Sequence, residues 1–204
     1  MAAMLILPAA ANAITVSGTA YADGTETTVW SGCDGVTARV GLAVNGVLHS
    51  TVPCDALGSY SFAGVAPSAA NQVLAVWFDG HADKAVHYSR NADTTTNITG
   101  LLLIRSQALV SSQNANPITN ADMAVWDSPN DSDVPVTIGA LNALTSALTN
   151  LRIHVRPGDT YAPGADVTVA TLRVDGTYAG AAETLILTGG AASTCTTNSG
   201  SSMR

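Results

Sequence analysis

The stretch Val36–Phe62, VTARVGLAVNGVLHSTVPCDALGSYSF, constrains the fold more than any other part of the chain. Ala38, Val40, Leu42 and Val44 alternate with Thr37, Arg39, Gly41 and Ala43, the period of two that marks a half-buried strand. Asn45-Gly46 follows at once, and it favours a two-residue type I′ turn because both central residues must tolerate positive φ. The chain returns as VLHSTV, turns again through Cys54–Gly58 and resumes as Ser59–Phe62. Three antiparallel strands in one tight unit predict an all-β architecture. They say little about chemistry.

The flanking segments extend the pattern. Ile14–Tyr21 alternates and reads as the first strand, Asp23-Gly24 as a turn, and Thr25–Trp30 as a second strand. Gln72–Phe78 is an almost unbroken apolar run, as a strand buried on both faces shows. Asp79-Gly80 then turns into Lys84–Ser89, and Ile98–Ile104 completes the set. Short strands at this turn-punctuated spacing predict a β-sandwich over residues 14–104.

From Arg105 the texture changes. Pro117–Pro135 reads as an acidic loop, and Leu141–Leu151 as a short helix or two Thr-rich strands. Leu151-Arg-Ile153 recurs as Leu172-Arg-Val174, and Thr160-Tyr161-Ala162 as Thr177-Tyr178-Ala179, offsets of 21 and 17 residues. Such a repeat predicts a second β-rich segment over residues 105–190, a short solenoid or stacked meander. Residues 191–204 are rich in Ser, Thr, Gly and Asn and read as a flexible tail.

Charge and cysteine usage narrow the setting. Charged residues make up 11% of the chain, Lys84 is its single lysine, and the net charge is −7. No basic patch is available to release phosphate counterions, which excludes a nucleic-acid partner, and an anionic membrane surface is excluded on the same ground. Of the three cysteines, Cys33 and Cys54 flank the hairpin. If Val44 faces Val47, Cys54 lies opposite Thr37, and a turn through Ser31-Gly32 and Asp34-Gly35 folds Cys33 back toward it. The pair reads as a disulfide, the alternative being two separate buried thiols. A disulfide implies an oxidising compartment, and Cys195 is left over. Met1–Ala13, with an apolar core from Met4 to Leu7, Pro8, and Ala11 and Ala13 in an A-x-A pattern, reads as the end of a secretory signal. If retained, it reads as an apolar strand that adds to a neighbouring sheet edge. The run is too short to span a bilayer, so no transmembrane segment is expected.

Asp55-Ala-Leu-Gly58-Ser-Tyr60-Ser-Phe62 resembles the D-x-x-G-x-Y-x-F signature of carboxypeptidase-regulatory-like domains, which are transthyretin-like, immunoglobulin-type β-sandwiches. Val76-Trp-Phe-Asp79-Gly80, with Ala85-Val86 after it, is similar to the later strand and turn of that family. More loosely, the whole chain, with Ile118–Asp122 and Thr160–Val169, resembles modules of large repetitive exported bacterial surface proteins. These resemblances imply a stalk, adhesion or matrix role and supply no catalytic residues.

Four constellations were candidates for chemistry. Asp79, His81, Asp83 and His87 mix imidazole with carboxylate, a ligand set for zinc, copper or iron, although a solvated turn explains the same residues. Asp127, Asn130, Asp131 and Asp133 offer oxygen ligands for calcium, the one cofactor the pattern points to, without the EF-hand spacing. Trp30 and Trp126 lie near predicted loops and would form a sugar-stacking platform if exposed; tryptophan otherwise packs in cores. A serine hydrolase lacks the G-x-S-x-G elbow. Among the histidines, His49 is placed opposite Leu42 and part-exposed, and His154 on the solvent side of its strand.

The leading expectation is therefore a secreted or cell-surface structural protein. It would be a non-enzymatic subunit of a stalk, filament or matrix that associates with itself by strand addition. A carbohydrate-binding or adhesion module with glycan partners is the alternative, and a metal-dependent or serine hydrolase stands behind both.

Overall fold

The computed structural model describes residues 13–36, 39–125, 132–189, 195–197 and 202–203. Within them the chain is all-β apart from short helical turns. The strands are β1 (Ile14–Tyr21), β2 (Arg39–Val44), β3 (Val47–Val52), β4 (Ser59–Val65), β5 (Val73–Asp79), β6 (Val86–Arg90), β7 (Ile98–Ile104) and β8 (Gln107–Val110). After helix α1 (Asn120–Ala124) come β9 (Val136–Ile138), β10 (Leu144–Ser146), β11 (Arg152–Val155), β12 (Thr160–Tyr161) and β13 (Val167–Val169). The chain continues through β14 (Thr171–Val174), β15 (Thr177–Tyr178), β16 (Leu185–Leu187), β17 (Cys195–Thr197) and β18 (Ser202–Met203).

The hairpin forms as its sequence requires. Asn45 and Gly46 adopt φ of 48° and 78°, the left-handed pair that a type I′ turn needs, and Val44 pairs with Val47. A bulge between Leu42 and Ala43 then shifts the register, so that Leu42 faces Ser50. This corrects the placement of His49 opposite Leu42, although His49 is exposed as expected. The bulge is one extra residue on β3, which a count from the turn cannot reveal. Thr37, the expected partner of Cys54, lies outside the described residues.

The apolar run of β5 is buried from Val73 to Phe78, and the two faces of the strand serve different cores. Leu74, Val76 and Phe78, with Val40 and Leu42 of β2, pack against Ile14 and Val16 of β1, Phe62 of β4 and Leu103 of β7. That is the sandwich: the three-stranded sheet β4-β1-β7 lies over part of an eight-stranded sheet, β17-β14-β11-β8-β6-β5-β2-β3. On the other face Ala43, Ala75, Trp77, Val86 and Tyr88 join a second core with Val136, Leu144, Ile153, Tyr161, Val167 and Leu172 from the C-terminal half. A strand with water on one side would alternate; β5 has none to face.

The C-terminal half is a short parallel solenoid built on the edge of the sandwich. β8 pairs parallel with both β6 and β11, β11 with β14, and β14 with β17. A second ladder runs β12-β15-β18 and a third β10-β13-β16, all parallel, with β9 added antiparallel to β10. Three strands per coil, one in each ladder, bury Tyr161 and Tyr178 ring to ring at 5.7 Å. The tyrosine repeat has the register its sequence suggested, Thr160 opposite Thr177 and Tyr161 opposite Tyr178. The other repeat is offset by two: Ile153, not Leu151, faces Leu172. A shift of two keeps the same residues inward, so the error left the predicted face intact. Two stretches of the Ser/Thr-rich tail, β17 and β18, continue the ladders.

Other local expectations need correction. Thr25–Trp30 is a loop touching β1 through one bridge, Tyr21 to Val29. Asp23 accepts from the backbone N–H and hydroxyl of Thr25, a local turn that competes with strand pairing. The acidic segment contains α1, whose N-cap Thr119 and Asp122 form a reciprocal capping box. Leu141–Leu151 holds one strand, β10, preceded by a single helical turn, Ala140–Asn142; Leu144 and Leu151 are buried but Leu141 is 93% exposed, so the leucines do not share the one face a helix would give them.

Candidate functional site

Two features stand out: an uncovered sheet edge and a polar cleft. β3 is the outermost strand of the eight-stranded sheet, and among the described residues no strand pairs with its outer side. Its sequence, VLHSTV, carries no Lys, Arg, Asp or Glu. Val47 and Leu48 are 70% and 54% exposed. A long edge without charge, proline or cover is a template for another strand. Beside it a cleft of about 310 Å³ is lined by Val47, Leu48, His49 and Ala66. Ile14 at the start of β1 pairs with Val65, the neighbour of Ala66, so the start of β1 lies beside a residue that lines this cleft.

The polar cleft lies where β7 covers β6 and the segment after β8. Residues alternate on β6: Val86 and Tyr88 enter the second core, so His87 and Ser89 point the other way, and both are buried. Nδ1 of His87 lies 2.9 Å from the carbonyl of Leu102 on β7. A carbonyl only accepts, so Nδ1 carries the proton and Nε2 is the acceptor. The Ser111 hydroxyl, 2.8 Å from Nε2, donates to it. Ser111 Oγ also reaches Ser89 Oγ as donor at 3.2 Å, and its one proton favours the shorter bond to Nε2. Burial pushes the His87 imidazole down to about 3, against the upward pull of the Leu102 bond, with Arg156 and His154 adding to the depression; the ring is neutral at physiological pH. Arg156 and Asp159 line the same space, about 380 Å³. Arg156 is ion-paired with Glu26, and Asp159 accepts from the Ser112 N–H at 2.7 Å. Burial raises the Asp159 carboxyl.

Next to this cleft His154 is fully buried, with Nε2 2.9 Å from Asp175, which also pairs with Arg173. This corrects its placement on the solvent side. The face is the one expected, opposite Ile153 and Val155, but it is covered rather than wet.

The sequence candidates fare unevenly. Cys33 and Cys54 form the expected disulfide, with Cα atoms 4.9 Å apart. Trp30 is 1% exposed, stacked on Phe78 at 3.8 Å with its indole N–H on Asp83. It is a core residue and presents no face to a sugar, which removes it from the platform. Trp126, Asp127, Asn130 and Asp131 lie outside the described residues. Asp133 accepts from the Gly80 N–H and pairs with Lys84, so it pins the loop that carries Asp79, His81 and Asp83. His81 accepts from the Asp83 N–H at 3.0 Å, but His87 points into the other cleft, away from them. Among the described residues no group of three or more His, Cys, Asp and Glu converges to hold a metal ion.

The sequence offered His87 with the wrong companions and gave no local sign of Ser111 or Arg156, which directly follow β8 and β11. The usable signal was polar His87 and Ser89 alternating with apolar Val86 and Tyr88. Comparison with protein-family models, curated proteins and solved structures yields no match. No helix among the described residues is long and apolar enough to cross a membrane.

Proposed function

We propose that the chain is an exported structural module, a self-associating unit of a surface stalk, filament or matrix. The observation that carries this reading is the β3 edge: free of Lys, Arg, Asp and Glu, with Val47 and Leu48 exposed, and unpaired on its outer side among the described residues. The occupant is a second copy, which donates its apolar segment Met1–Ala13 as an added strand. Two further observations support it. The Cys33–Cys54 disulfide suits an oxidising compartment outside the cytosol. A head-to-tail contact of edge with donor is heterologous, and such contacts propagate into open filaments wherever the rotation between copies does not close a ring.

The test is assembly of the full chain, followed by sedimentation and electron microscopy with increasing concentration. Wild-type protein is expected to form extended assemblies, and Leu48→Lys, which places a charge on the exposed edge, is expected to remain monomeric at unchanged thermal stability. Deletion of residues 1–13 should have the same effect. A wild-type chain that stays monomeric at high concentration overturns the reading.

A further inference from the structure

We propose that Ser111 is a nucleophile activated by His87, and that the cleft between β7 and the eight-stranded sheet hydrolyses small carboxylic esters. This inference stands apart from the assembly reading, since the cleft and the β3 edge share no residue.

The geometry holds each part of a nucleophile–base–orienter set. The Leu102 carbonyl fixes the His87 tautomer from a central position on β7, taking the place that an acid side chain holds in a Ser-His-Asp triad. Nε2 is left facing Ser111 Oγ at 2.8 Å, within reach for proton abstraction; burial makes the ring a weak base, which restricts the reaction to esters with a good leaving group. His87 is 1% exposed and packed between sheets, whereas Ser111 is only half-buried and lines the cleft. Base behind, nucleophile in front, is the order that lets a substrate reach one without disturbing the other. Among the described residues Arg156 is the guanidinium lining the cleft; ion-paired with Glu26 through Nη1, it still brings positive charge to the cleft wall, which favours negative charge developing on a bound carbonyl oxygen. Ile98, Leu101 and Pro157 supply apolar wall, and the volume of about 380 Å³ suits a short acyl group and a small alcohol.

In the first half-reaction Ser111 Oγ adds to the ester carbonyl carbon while its proton passes to His87 Nε2. The tetrahedral adduct then collapses: the bond to the alcohol oxygen breaks and His87 returns the proton to it. Acyl-Ser111 and free alcohol remain. Water repeats the sequence, releasing the acid and restoring the hydroxyl.

The probes are p-nitrophenyl acetate, followed by release of nitrophenolate, and a fluorophosphonate, followed by intact mass and peptide mapping. One adduct per chain is expected, mapped to Ser111, with fluoride lost. Ser111→Ala should abolish both signals, and His87→Gln should slow them by about 10²-fold or more, while Ser61→Ala on the outer face of β4 leaves both unchanged. Mapping the wild-type adduct identifies the site even if a variant fails to fold. Absence of an adduct on the folded wild-type chain, or an adduct on any residue other than Ser111, overturns the proposal.

Discussion

Trp77 on β5 lies across Gly41, its direct partner on β2: a β-carbon on Gly41 would come within 2.5 Å of the indole ring. The absence of a side chain there lets the indole lie flat on the sheet and fill the second core with Ala75 and Tyr88. Gly41→Ala is expected to destabilise the fold by about 1–3 kcal/mol through overpacking. Chemical denaturation should show it as a lower midpoint, with a shift in tryptophan emission before unfolding. A neutral Gly41→Ala would mean that the ring moves freely, contrary to its burial.

The disulfide makes a second prediction. Cys33 and Cys54 are 21 residues apart, and closing a loop of that size contributes about 3 kcal/mol through the unfolded state. Reduction, or the double change Cys33→Ala with Cys54→Ala, should lower Tm by many degrees. Because Cys33 packs in the sandwich core beside Trp30, the loss should be felt in β1–β7 first. Hydrogen exchange resolved by segment checks this: equal loosening of β11–β15 would contradict it.

The buried histidines set the pH response. Both His87 and His154 are held below the ordinary imidazole value, chiefly by burial. Between the unfolded value near 6.5 and the folded one, the unfolded chain binds protons that the native chain does not, so stability is full above pH 6.5 and falls on acidification. With His87 at about 3, a drop to pH 5 removes about 2 kcal/mol from this residue alone. For Asp175 burial acts upward, but Arg173 and His154 outweigh it and hold the carboxyl low; its contribution is lost only below the ordinary carboxylate range. Urea midpoints at pH 7.5 and pH 5 should differ in that direction, and equal midpoints would exclude neutral buried imidazoles.

Asn120 ties α1 to the solenoid. Its amide nitrogen donates to the Asn142 carbonyl at 2.9 Å, and its oxygen accepts from the buried Tyr161 hydroxyl at 2.5 Å. Asn120→Ala leaves that hydroxyl without its partner in a dry core, at a cost of about 2–3 kcal/mol. Tyr161→Phe together with Asn120→Ala should cost less than the sum of the single changes, which a double-mutant cycle measures.

The sequence by itself determined most strands of the N-terminal half, though not that Thr25–Trp30 is a loop or that β2, read as half-buried, is covered on both faces from Val40 to Ala43. Alternation along Ile14–Tyr21 and Val40–Val44, the Asn45-Gly46 turn, the doubly buried run of β5 and the Thr-Tyr repeat are local patterns, written by side-chain period and turn chemistry. The Cys33–Cys54 pairing was legible for the same reason, since both residues sit beside one hairpin. Only the tertiary structure decided what the second face of β5 packs against, because hydrophobicity records that a residue is buried and not by what. It alone turned His154 from a wet to a covered position and carried His87 away from Asp79–Asp83. It alone brought His87, Leu102 and Ser111 together: hydrogen bonds between strands distant in sequence depend on sheet order, which no periodicity along the chain encodes.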